Sequence, residues 1–157
     1  MVENTILKQI NFLSGLPEEK LEMIGGIAQL ETFDEETILF RQNQEQTLIY
    51  MLVSGKVFLN SRSASGKSLT LDEVGPGRTF GVSALMGETS STFTAVCAEK
   101  SQVVTISGDQ MQGLFTRDFE TGHLLMKKVV ASFKRRMELH TRQFLGSLAD
   151  HPQIRDN

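Results

Sequence analysis

Four glycines and a proline fall within Gly75-Pro76-Gly77-Arg78-Thr79-Phe80-Gly81-Val82-Ser83-Ala84-Leu85-Met86-Gly87, in the middle of the chain. Gly75-Pro76-Gly77 makes a turn, because glycine reaches positive φ and proline holds φ at about −65°. Gly81 precedes Ser83-Ala84-Leu85-Met86, which reads as one short helical turn stopped by Gly87. A glycine that opens a short helix lets a ligand approach the main chain, and the N–H groups of the first turn then face an anion. Two readings stay open. The stretch is either a main-chain phosphate site or a tight turn between two strands of a β-barrel with no ligand.

The periodicity on either side changes twice. Ile6, Leu7, Ile10, Leu13 and Leu16 recur at helical spacing. Ser14-Gly15-Leu16-Pro17 breaks that pattern. A second helix follows, with Pro17 in its first turn and Leu21, Ile24, Ile27 and Ala28 on its buried side; Gly25-Gly26 predicts that it is short. From about Gln29 the pattern is that of strands. Leu48-Ile49-Tyr50-Met51-Leu52-Val53 is apolar enough to be covered on both faces. Asn43 is the residue of the polar run 41–46 suited to a left-handed turn, and Ser65-Gly66 marks a hairpin tip. Several short strands at close spacing predict a mainly β domain, an antiparallel barrel or roll. Helical spacing returns after a capping turn at Ser107-Gly108-Asp109. It carries Met111, Leu114 and Phe115, then a long helix from about Phe119 to Leu145 or beyond. Residues 147–157 form a polar tail.

Bulk properties narrow the function classes. One domain is expected from 157 residues, spanning 1–146 with the long helix included. A net charge of −3 gives no whole-chain case for nucleic acid binding. The single cysteine, Cys97, leaves no disulfide framework or multi-cysteine metal site, and it lies in an alternating apolar run as a buried thiol. The N-terminus has no signal-peptide pattern, and no apolar run approaches a membrane span, so a cytoplasmic setting is expected. His123, His140 and His151 all lie late in the chain, with no paired metal-ligand spacing, and no serine sits in a glycine-framed elbow. The expectation is no enzyme activity, no metal and no cofactor.

With helices, short strands, a glycine-rich cassette and a long helix in that order, the chain resembles the cyclic-nucleotide-binding domain family. The resemblance covers roughly Ile6 to Leu145. It rests on Phe12-Leu13-Ser14-Gly15-Leu16, Ile38-Leu39-Phe40-Arg41-Gln42-Asn43, the segment from Leu48 to Val57, and Gly75-Pro76-Gly77-Arg78-Thr79-Phe80-Gly81. It implies a β-roll of the jelly-roll type, with N-terminal helices, a short cassette helix and a long C-terminal helix. It further implies a ligand seated over the cassette, for which the candidates are Phe80, Gly81, Val82, Ser83, Ala84, Leu85, Thr92 and Phe93. In members that bind cyclic nucleotides, a glutamate follows Phe-Gly and takes the ribose hydroxyl, and a later arginine pairs with the phosphate. Here Val82 stands at the first position and Thr92 at the second. Threonine supplies neither charge nor a bidentate fork. A hydrogen bond to a charged group contributes about 1.5–3 kcal/mol, so losing both costs about 3–6 kcal/mol, or two to four decades of affinity. Arg78 or Glu88 are the nearby substitutes.

These readings lead to a non-enzymatic regulatory or sensory module that does not bind cyclic AMP or cyclic GMP in the usual mode. Its effector would be a small anionic or nucleotide-like molecule. An interaction scaffold with no ligand, and the sensor part of a transcription regulator without its helix-turn-helix, are the alternatives. On the long helix, Met126, Val130, Phe133, Met137, His140 and Phe144 fall near a heptad repeat, as a lid or a homodimer seam. The same helix has a basic face of Lys127, Lys128, Lys134, Arg135, Arg136 and Arg142. Direct DNA binding by this chain and membrane association are not expected.

Overall fold

The computed structural model describes residues 1–87 and 90–148. The chain divides into two compact units, Met1–His123 and Leu124–Asn157. The first unit opens with α1 (Asn4–Leu7), a 3-10 turn (Asn11–Leu13) and α2 (Glu18–Ile27). The apolar spacing from Ile6 to Leu16 thus serves separate short pieces rather than one helix. Ile10 is extended, and Leu7, Ile10 and Leu13 are all buried. Gly25-Gly26 does not shorten α2. Gly25 is buried against the N-terminal strand of chain, where a Cβ would overlap the Val2 carbonyl, and the Val2 N–H donates to the Gly25 carbonyl at 3.0 Å.

Among the described residues eight strands follow: β1 (Ala28–Phe33), β2 (Ile38–Phe40), β3 (Leu48–Ser54), β4 (Val57–Arg62), β5 (Ser68–Val74), β6 (Thr79–Phe80), β7 (Thr94–Cys97) and β8 (Ser101–Ser107). They form two four-stranded antiparallel sheets, ordered β1-β8-β3-β6 and β2-β7-β4-β5. This is the mainly β roll with flanking helices that the strand pattern predicts. Side chains alternate across each strand. Tyr50 and Leu52 of β3 therefore join Val57, Leu59, Phe80, Ala95 and Cys97 in the core between the sheets. Ile49 and Met51 point to the other face and are also fully buried, which explains why the run from Leu48 to Val53 carries no polar residue. The cassette helix (Val82–Met86) packs on β3, and α3 (Gly108–Arg117) packs on β8 and on that helix. Asn43 has φ +65° and Gly66 φ +83°, as the turn chemistry requires.

Burial raises the pKa of the Cys97 thiol, against a smaller opposing hydrogen bond from Ser101, so Cys97 is a core residue. The Ser107 hydroxyl caps α3 by accepting from the Gln110 N–H at 3.5 Å. The long helix, α4 (Phe119–Ser147), runs past Leu145 through Gly146, within the bounds the sequence predicts. A single interior glycine costs a helix only about 1 kcal/mol, too little to end it. The tail expected over 147–157 lies outside the described residues from Ala149 on, and so do His151 and Glu88.

In the second unit the seam residues are open to solvent. Val130, Met137 and Phe144 are each more than 60% exposed, and Phe133 and Met126 are partly so. His140 is half-buried.

Candidate functional site

The turn that leads into the cassette is fastened on both sides. Gly77 has φ +88°, its N–H donates to the Leu52 carbonyl at 2.7 Å, and its carbonyl accepts from Asn11 N–H at 2.9 Å. Arg78, a candidate substitute for the absent phosphate arginine, is already engaged. Its guanidinium forms a fork on Asp72, at 2.9 and 3.3 Å, and donates to the Glu73 carbonyl at 2.8 Å. A charge held by a bidentate carboxylate is not available to an anion without breaking that pair.

Phe80 sits directly opposite Tyr50 in the β3–β6 pair. Their rings stack with centroids 5.2 Å apart, and Phe40 lies 5.4 Å from Tyr50 and 6.2 Å from Phe80. The Tyr50 hydroxyl donates to the Leu39 carbonyl at 3.2 Å. Burial pushes its pKa up to about 12, with the Glu31 charge adding to the effect. The floor of the cassette is thus an apolar aromatic cluster.

Gly81 is left-handed, φ +72° and ψ 22°, at the N-terminal end of the cassette helix. A helix stopped by Gly87, with φ +81°, is what the sequence predicts. Packing as well as φ restricts position 81 to glycine. A Cβ there would overlap the carboxamide nitrogen of Gln46 and crowd the Leu48 carbonyl and the Tyr50 ring, both at 3.1 Å. Gln46 is only 4% exposed. Its Nε2 donates to the Gly81 carbonyl at 2.7 Å and to the Leu48 carbonyl at 2.6 Å. Its Oε1 accepts from the Ser83 hydroxyl at 3.2 Å. One neutral side chain therefore spans the mouth of the cassette helix and holds it to β3.

Sequence reasoning passed over Gln46 as one polar residue of the turn 41–46. Its only local signal is the polar-to-apolar boundary before Leu48; two of its three partners lie 35 and 37 positions away. The turn itself is anchored by antiparallel contacts. Glu45 bridges to Ser90, Ser91 N–H donates to the Gln44 carbonyl at 2.9 Å, and Asn43 N–H donates to the Ser91 carbonyl at 2.7 Å. These contacts deliver the segment carrying Thr92 and Phe93 to the same end of the roll.

The expected site residues then separate. Phe80, Val82, Ala84 and Leu85 are buried, and Gly81 and Ser83 are half-buried. Phe93 packs partly buried against the core that holds Phe80 and Tyr50. Thr92 is exposed. Val82, at the position of the family's glutamate, is 5% exposed and apolar. From Phe80 to Met86 no side chain is charged.

The cassette is also tied to the next helix. Gln112 of α3 donates to the Leu85 carbonyl. Gly108 opens α3 so close to the cassette that a Cβ there would overlap the Ala84 carbonyl. At the far end of α3, Asp118 receives hydrogen bonds from the Thr121 N–H at 3.3 Å and the Thr121 hydroxyl at 2.8 Å, and pairs with Lys20 of α2 at 2.5 Å. Those contacts, Lys20 first, hold the Asp118 carboxyl down to about 2 and raise the pKa of Lys20. Among the described residues no group of three or more His, Cys, Asp or Glu is placed to hold a metal, and no helix is long and apolar enough to cross a membrane.

Comparison with known proteins places this geometry. Residues 30–118 match the family described as Cyclic nucleotide-binding domain. The Cyclic AMP receptor protein of Thermus thermophilus is 26% identical over 103 residues, which cover 66% of this chain and 48% of that protein. The chain spans less than half the length of the curated relatives it matches, 48% and 18%. A putative cyclic nucleotide-binding protein from Geobacter metallireducens superposes with a TM-score of 0.74 at 27% identity, covering 87% of this chain and 99% of the other. A regulatory subunit of a cAMP-independent protein kinase A from Trypanosoma brucei shares the fold, with a TM-score of 0.73 at 17% identity, covering 90% of this chain and 50% of that one. That structure is of a variant with glutamate-to-alanine, threonine-to-arginine and valine-to-alanine substitutions, bound to cAMP.

Proposed function

Because the chain belongs to the cyclic-nucleotide-binding domain family, we propose that it is a non-enzymatic sensory module whose cassette takes a small effector other than a cyclic nucleotide held in the family's usual mode. The observation that carries this reading is that no side chain from Phe80 to Met86 is charged. Val82 and Thr92 stand where a carboxylate and a guanidinium are needed, Arg78 is held by Asp72, and Gln46 takes up the Gly81 carbonyl and the Ser83 hydroxyl. The Trypanosoma relative supports it by analogy. It is described as cAMP-independent, and its cAMP-bound variant carries an arginine in place of a threonine.

A signal in such a module passes through contacts, not through distance. An effector that moves the cassette helix moves the Leu85 carbonyl against Gln112 and the Ala84 carbonyl against Gly108, and α3 carries the change to the corner at Asp118. α4 leaves from that corner as the output element.

Thermal unfolding with millimolar cyclic AMP, cyclic GMP and a panel of other nucleotides and small anions tests the reading. A ligand at 100 times its dissociation constant adds about 2.7 kcal/mol of stability. The expected outcome is no shift with either cyclic nucleotide, a shift with another compound, and a new shift with cyclic AMP for the variant Thr92→Arg combined with Val82→Glu. A clear shift of the unaltered chain with cyclic AMP overturns it. A flat panel for every compound moves the assignment to a ligand-free scaffold.

A further inference from the structure

Three parts of the first unit meet at one short segment, 46–48. The Gln46 side chain reaches the cassette helix through the Gly81 carbonyl and the Ser83 hydroxyl. The Thr47 carbonyl accepts from the N–H of Gly108, the first residue of α3, at 2.9 Å. Leu48 opens β3 and pairs with Ser107 at the end of β8. The turn before the segment is bonded to the Ser91 main chain through Asn43 and Gln44, so the base from which Gln46 projects is fixed.

The chemistry at the tip of Gln46 is specific. The Leu48 and Gly81 carbonyls converge on its Nε2 at 2.6 and 2.7 Å, and the Ser83 hydroxyl donates to its Oε1 at 3.2 Å. Two acceptors on one side and a donor on the other fix which end of the amide is nitrogen. A primary carboxamide answers all three at once. A carboxylate or phosphate oxygen in place of the nitrogen would face two carbonyl oxygens with no hydrogen to share. With Gln46 only 4% exposed, solvent does not make good that loss. Glutamine also loses more rotamer freedom on burial than most side chains. The other buried polar side chains among the described residues are short ones, Ser91, Ser101, Thr105 and Thr121.

The cassette helix in turn meets α3 at two points. The Ala84 carbonyl lies against Gly108, and the Leu85 carbonyl accepts from Gln112. We propose that Gln46 is the cassette's built-in ligand: its carboxamide fills a site of carboxamide chemistry, and so holds the cassette helix, and through it α3, in place with no effector bound. Gln46 is then a positioning residue for α3, acting through Gly81 and Ser83. Only the position that Gln46 fills is at issue, whatever effector the rest of the cassette takes.

Gln46→Ala in the full chain removes the group that free acetamide can replace. Acetate has the same shape with a charge, and acetone the same shape without an N–H, so both serve as controls. Amide hydrogen exchange read by mass spectrometry follows each segment separately, and the fluorescence of Tyr50, whose ring lies against Gly81, follows the site itself. In the variant, exchange should run roughly tenfold or more faster over Val82–Met86 and Gly108–Arg117 and stay at the wild-type rate in β1 and β8. Acetamide at about 0.2 M should reverse this and raise the melting temperature of the variant, while acetate, acetone and the unaltered chain give no such response. A rise in exchange spread evenly over the chain overturns the proposal, because Gln46 then supports the fold as a whole and not α3. So does a variant that ignores acetamide, or one that responds equally to acetate. Should Gln46→Ala not fold, Ser83→Ala removes the hydroxyl that meets Oε1: exchange should rise in the same two segments, and wild-type exchange there overturns the proposal. The response of the unaltered chain to nucleotides and anions is a separate measurement, so the built-in ligand and the sensory reading fail independently.

Discussion

Replacing Gln46 by glutamate changes one NH2 into an oxygen and little else in shape. In the native chain that NH2 donates to two carbonyls, Leu48 at 2.6 Å and Gly81 at 2.7 Å, in a side chain only 4% exposed. In Gln46→Glu both carbonyls face an acceptor. Leaving one buried polar group unsatisfied costs about 1–3 kcal/mol, so two cost about 2–6 kcal/mol at neutral pH. The new carboxyl is buried beside carbonyl oxygens, which disfavours its charged form and raises its folded pKa above the unfolded value of about 4.3. The folded state then takes up a proton before the unfolded state does. The deficit relative to the wild type therefore shrinks as pH falls, because a protonated carboxyl donates again to one carbonyl. The assay is urea unfolding at pH 7.5 and pH 5, followed by far-UV circular dichroism and by the fluorescence of Tyr50. Tyr50 is the sole tyrosine in a chain without tryptophan, and it stacks on Phe80 beside the cassette. With a urea slope of about 2 kcal/mol per molar, the midpoint should fall by about 1–3 M at pH 7.5. A variant that unfolds at the wild-type midpoint, or a gap that widens on acidification, refutes the role given to Gln46.

Two further perturbations probe the same unit. Gly108→Ala should destabilise by about 1–3 kcal/mol, because its Cβ meets the Ala84 carbonyl and the main chain must move. Gly113→Ala, in the same helix with open space around it, should stabilise by about 0.5–1 kcal/mol; thermal melts of the pair check both signs. Lys20 and Thr121 hold the Asp118 carboxyl at about 2, below its unfolded value of about 3.9. The stability it contributes is present above about pH 4 and is lost as pH falls towards 2. Asp118→Asn lacks that term, so its melting temperature should lie below the wild type at pH 6 and approach it in acid.

What the sequence discloses here depends on the range over which a feature is decided. The left-handed turns at Asn43 and Gly66, the Ser107 cap and the continuous apolar strand β3 are settled by residues within a few positions of each other, and they read directly. The roll is legible for the same reason, since each strand announces itself by local alternation. α1 and the turn after it misled because a helical spacing of apolar residues is equally served by short helical pieces that bury the same side. α4 runs on through Gly146 because one glycine late in a long helix is too small a penalty to stop it.

The cassette shows the harder limit. Glycine at 81 announced that something approaches the main chain closely, and that much was correct. Glycine names a vacancy and not its occupant. Both an anion and a neighbouring side chain satisfy the same signature, and the Gln46 carboxamide nitrogen lies where a Cβ at 81 would go. The same ambiguity attends Gly25, filled by the Val2 carbonyl, and Gly108, filled by the Ala84 carbonyl. In each case the occupant comes from a segment more than twenty positions away, so no local pattern could have named it. Positions 82 and 92 were more informative, because there the question was chemical. Valine and threonine lack the charge that an arginine or a glutamate supplies whatever the surroundings, and burial of Val82 with exposure of Thr92 leaves that deficit in place. Gln46 already engages both the Gly81 carbonyl and the Ser83 hydroxyl of the cassette.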